Sequence, residues 1–166
     1  MAAVFVTVSA LLLLVAGVAK IIHPDPASDA LGALRLPSYP LLVRVGALLE
    51  TGVALFALGS PSPLGATLVG VSFLGFALFV ALLRRQPDAV SCGCFGGEGE
   101  TPSGRHVAIN LALGVGCLLA AATAAPSTAH LIRHNISLGL LFLAVCVCAA
   151  WLCGLVLQDR TRGGNP

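Results

Sequence analysis

The chain has 166 residues, of which 57% are apolar and only 10% charged, and its mean hydropathy is +0.97. A soluble globule of this size has no use for so much apolar surface. The formal net charge is only +2, and the basic residues are scattered rather than gathered in a patch, which excludes a nucleic-acid partner.

A hydrocarbon core about 30 Å thick takes roughly 20 apolar residues in a helix. Five such runs occur, at residues 4–22, 41–60, 64–83, 107–125 and 137–157. Lipid offers the backbone no hydrogen bonds, so a spanning segment is a helix or part of a closed barrel, and these Leu/Ala/Val-rich runs lack the alternation of a barrel strand. The expected fold class is an all-α integral membrane bundle of about five transmembrane helices. The first run is read as a span and not as a cleaved leader, because no positive charge precedes it.

The first connection carries Pro24, Pro26, Pro37 and Pro40, which break helices on both sides. Between them, Ser28 and Asp29 are placed to cap a short interfacial helix ending near Arg35. Ser60-Pro61-Ser62-Pro63 is so short that the second and third spans must form a tight hairpin. The third connection, 84–105, is longer, polar and Gly-rich, and holds Ser91-Cys92-Gly93-Cys94-Phe95-Gly96. The tail 158–166 is polar and expected to be disordered.

Five spans put the first connection, the Cys loop and the tail on one side of the membrane. That side then holds Lys20, Arg35, Arg44, Arg84, Arg85, Arg105, Arg160 and Arg162, against Arg133 alone opposite. The positive-inside rule puts the loop in the cytoplasm on this count.

Of six cysteines, only Cys92 and Cys94 lie outside an apolar run. Residues two apart in a tight turn can reach the Cα separation a disulfide needs when Gly93 takes unusual dihedrals, and a ring so small is strained, which suits a bond that is passed on. Arg84, Arg85, Arg105 and His106 favour the reactive thiolate, while Glu98 and Glu100 oppose it. The pair is read as a thiol–disulfide exchange centre, with ordinary loop thiols, or a metal site using His106 as a third ligand, as the alternatives; a full zinc-like ligand set is absent. Cys117, Cys146 and Cys148 read as small hydrophobes inside spans. Cys153, near the loop-side end of the fifth span, is the candidate resolving thiol.

Glu50 falls near the middle of the second span, where a charge is expensive and by default functional. Lys20, closing the first span, is its nearest cation. The pair reads as a structural ion pair, as a polar pair facing a cavity or quinone-like ligand, or as a Lys20 that snorkels to the interface. Asn110 is expected to supply an interhelical hydrogen bond, and Gly46, Gly52, Gly65, Gly70, Gly75, Gly114 and Gly116 to let helices approach closely.

Three local patterns together resemble the MauE branch of the MauE/DoxX membrane proteins: Ala16-Gly17-Val18-Ala19-Lys20, Glu50-Thr51-Gly52, and Ser91-Cys92-Gly93-Cys94-Phe95-Gly96. The last is the most specific, and the resemblance continues through Asn110. It implies a DoxX-like four-helix domain over residues 1–125, with 126–157 adding a fifth helix and its connection. It also implies a redox-associated protein of the bacterial cell membrane, since MauE-type proteins are associated with maturation of the disulfide-rich small subunit of methylamine dehydrogenase alongside a thioredoxin-like partner. The family's Cys pair falls on Cys92 and Cys94. A quinone is the cofactor the wider group brings to mind, but no residue here indicates one.

The function expected is therefore a thiol–disulfide relay or maturation factor in methylamine metabolism or for another client. A scaffold with dispensable cysteines is the alternative, and a small-molecule transporter a weaker one. An exported client would require the loop on the extracytoplasmic face, opposite to the side given by the basic residues.

Overall fold

The computed structural model describes residues 2–60, 62–86 and 102–123, together with 144 and 147. Among these residues there are five helices and no strand: α1 (Ala2–Ile22), α2 (Asp25–Ala33), α3 (Pro40–Gly59), α4 (Pro63–Leu83) and α5 (Gly104–Ala122). Four of them, α1, α3, α4 and α5, are long and apolar enough to cross a membrane. They match the first four sequence-predicted spans to within three residues at each end. The fifth predicted span, 137–157, lies outside the described residues apart from Ala144 and Val147, which are helical.

Punctuation explains the helix ends. Proline stands in the first turn of α2, α3 and α4, where its missing N–H costs nothing and its fixed φ suits the helix. Ser62 caps α4 by accepting from the Gly65 amide, and Ser103 caps α5 by accepting from that of His106. The Ser103 cap starts α5 three residues before the apolar run does.

The interfacial helix α2 begins at Asp25, with Pro24 as its N-cap, and not at the expected Ser28 cap. With proline available for the first turn, the helix needs no side-chain cap, and Ser28 instead donates its hydroxyl to the Ser38 carbonyl. The helix ends with the Leu36 amide bonded to the Leu31 carbonyl and that of Arg35 to Gly32. These are the paired closures of a Schellman motif, and they hold Arg35 at φ 58°, in the left-handed region.

The most extensive pairings are α4 with α5 and α1 with α3; α1 also packs on α5 and α3 on α4. The core between them is built from Val8, Leu12, Leu13, Ala54, Val69, Phe73, Leu113 and Cys117. Close approach occurs at Gly65, Gly70, Gly114 and Gly116, where an added Cβ would lie within 3.0 Å of a neighbouring helix. At Gly46, Gly52 and Gly75, by contrast, none of the described residues lies within 4 Å of an added Cβ. Gly46 lines a cavity between helices, and Gly52 and Gly75 are exposed among the described residues. A second small cluster, Ala30 and Leu83 with Ala33, Leu34 and Phe79, docks α2 beneath the C-terminal end of α4.

Candidate functional site

One end of the bundle gathers the polar groups. The C-terminal end of α1 brings Lys20, α3 brings Glu50, α4 brings Phe76 and Phe79, and the start of α5 brings His106 and Asn110. Lys20 Nζ lies 2.6 Å from Glu50 Oε2. Lys20 as a residue is only 7% exposed, so the snorkelling reading is ruled out and the ammonium is held inside the bundle. It also stands 4.4 Å from the centroid of the Phe76 ring, a cation–π contact of about 2 kcal/mol when desolvated. Phe73 meets Phe76 edge to face, with centroids 5.9 Å apart, and steadies that ring.

The pair is reachable because α1 and α3 come close one turn before it. An added Cβ at Gly17 would sit 2.6 Å from Thr51 Oγ1 and 3.0 Å from the Ala47 carbonyl, and Thr51 turns its hydroxyl back onto that same carbonyl. A side chain at position 17 would push the helices apart and Lys20 away from Glu50. The Ala16–Lys20 and Glu50–Gly52 segments are thus two halves of one contact.

Two cavities meet at Lys20. The outer one, about 250 Å³, lies between Lys20, Glu50, Phe76, Phe79, Val43 and the α2 residue Leu31. The inner one, about 30 Å³, is lined by Lys20, Phe76, His106 and Asn110 together with apolar side chains of α1 and α5. His106 is buried, with Nδ1 2.7 Å from Ser103 Oγ. Its Nε2 has no hydrogen-bond partner among the described residues. Sequence reasoning had given His106 only a flanking or ligand role; the signal that could have found it is a histidine one turn before Asn110 at the mouth of a span. The Asn110 amide donates to the His106 carbonyl in its own helix, and among the described residues no bond from it across helices is seen.

Cys117 is buried, unbridged and 3.9 Å from the Phe5 carbonyl, far from the polar end. Cys92, Cys94 and Cys153 lie outside the described residues. The described residues that flank the Cys92–Cys94 segment touch through a side chain: an added Cβ at Gly104 would lie 3.4 Å from Arg84 Nη1, so the Arg84 guanidinium reaches the start of α5. Among the described residues no three His, Cys, Asp or Glu side chains converge as metal ligands would.

Four packed helices, each long and apolar enough to cross a membrane, mark the class as a multi-pass membrane protein. Residues 1–125 match the family model of methylamine utilisation protein MauE, and the chain belongs to that family. No curated protein and no solved structure matches it.

Proposed function

We propose that this chain is a thiol–disulfide relay or maturation factor of the cell membrane, with Cys92 and Cys94 as its redox pair. The observation that carries the reading is Cys92-Gly93-Cys94 in the polar, Gly-rich sequence between α4 and α5, whose flanking residues Arg84 and Gly104 are in side-chain contact. Membership of the MauE family supports it. In the exchange, a thiolate of a reduced, thioredoxin-like partner attacks one sulfur of the Cys92–Cys94 disulfide and forms a mixed disulfide. The partner's second thiolate then displaces the loop sulfur, leaving the partner oxidised and the loop a dithiol that has gained two electrons and two protons. The reverse sequence reduces the partner. Cys153 is the reserve resolving thiol, and the client is a protein whose disulfides the partner sets.

The test is labelling of intact cells with a membrane-impermeant maleimide, before and after reduction, with the Cys92→Ser/Cys94→Ser double variant as blank. Labelling that appears only after reduction supports the relay and puts the loop outside; labelling only in opened cells puts it in the cytoplasm. Unimpaired client maturation in the double variant overturns the relay in favour of a scaffold.

A further inference from the structure

The inner cavity poses a problem that the cysteine chemistry does not address. His106 is only 7% exposed, and its Nε2 is buried without a partner. A buried polar nitrogen left unsatisfied costs about 1–3 kcal/mol, and such groups almost always find protein or ordered water. In one of the ring's two neutral tautomers the Ser103 hydroxyl, which accepts the His106 backbone N–H, donates its own proton to Nδ1 at 2.7 Å. The neutral ring then carries its proton on Nε2, which needs an acceptor.

Lys20 shares the cavity, but an ammonium only donates. One of its protons goes to Glu50 Oε2 and the Phe76 ring faces another side. Asn110 also shares it, with its amide nitrogen committed to the His106 carbonyl and its Oδ1 therefore left as an acceptor. Among the otherwise apolar residues lining this space of about 30 Å³, His106 and Lys20 can donate and Asn110 can accept. A water needs about 10–15 Å³ of such space and two to four polar partners.

We propose that this cavity is a built water site. It holds one water, at most two, accepting from His106 Nε2 and Lys20 Nζ and donating to Asn110 Oδ1. The water joins the cap of α5 at the base of the Cys loop to the Lys20–Glu50 pair in one chain of hydrogen bonds, Ser103 to His106 to water to Lys20 to Glu50. The chain opens at Glu50 into the outer cavity beneath α2. It stands or falls independently of what Cys92 and Cys94 do.

The experiment is magic-angle-spinning NMR of the full chain in lipid vesicles with ¹⁵N-labelled histidine, reading magnetisation transfer from mobile water protons. The His106 signals are identified by their absence in His106→Gln. A protonated Nε2 that receives magnetisation from water despite its burial is the expected result, with loss of that transfer in Ala16→Leu, which fills the cavity. An Nε2 without transfer in the wild-type chain overturns the site, as does transfer that survives in a folded Ala16→Leu. Xenon gives a second reading that needs no variant, since it enters dry apolar cavities: exclusion fits the water, and uptake overturns it.

Discussion

The two ends of this bundle are held by different physics. At the end formed by the start of α1, the end of α3, the start of α4 and the end of α5, the described contacts between helices are chiefly of shape, with Cys117 Sγ 3.9 Å from the Phe5 carbonyl beside them. An added Cβ at Gly116 would lie 2.6 Å from the Phe5 ring, and one at Gly65 would lie 2.9 Å from the Ala57 Cα. At the other end the helices leave cavities, and the contacts are an ion pair, a cation–π contact and a buried histidine. Lipid is as apolar as leucine, so apolar burial alone does not drive helices together; close packing and hydrogen bonds do. The first end relies on close packing, the polar end adds an ion pair to the close approach at Gly17, and the polar end is where the chain leaves α4 and begins α5. Holding helices by charge around open space costs packing, and that cost fits a place where function is built.

The largest effect is expected at the pair. Lys20→Met or Glu50→Ala alone strands a buried charge and should cost about 3–5 kcal/mol, whereas the double variant Lys20→Met/Glu50→Met should cost far less, because neither charge is left behind. Reversible unfolding in mixed micelles measures both. Additive losses would mean that the two charges do not act on each other, and the contrast between the ends would collapse. Next comes the shape-held end: Gly65→Val should cost about 1–3 kcal/mol by overpacking, because the atom it meets is backbone and cannot swing aside. The same assay should show no recovery from any change at Lys20 or Glu50.

Much of this was legible from the sequence. Four helices follow from hydropathy alone, and the Lys20–Glu50 contact from two charges on neighbouring spans. Ser28 was misread because a serine before an apolar stretch resembles a cap, while the prolines two and four residues earlier supply the start. The Asn110 bond to its own helix was not legible, because an amide in a span can bond within its helix as readily as across helices, and sequence does not distinguish the two. His106 was invisible as a buried group because a histidine at the edge of a polar loop looks solvated; its burial depends on α5 starting at Gly104, three residues before hydropathy begins it.

A smaller effect tests how the polar end is joined to the loop. Ser103→Ala removes the α5 cap and the Nδ1 partner of His106 together, and should cost about 1 kcal/mol. Ser103→Asp keeps an acceptor for the His106 amide and should recover most of that loss, as read from thermal unfolding.

The smallest effect is the one that says most about what surrounds the described helices. Gly52 and Gly75 lie mid-helix, and none of the described residues is within 4 Å of an added Cβ there; a mid-helix glycine costs roughly 0.5–1 kcal/mol relative to alanine through backbone entropy. Gly52→Ala and Gly75→Ala should therefore leave stability unchanged or raise it by up to that amount each, in contrast to Gly65. Raised stability in purified protein together with impaired function in cells would show that these bare faces receive a partner in the membrane. Lowered stability in the purified protein would instead mean that another part of the same chain, or a second copy, packs against them.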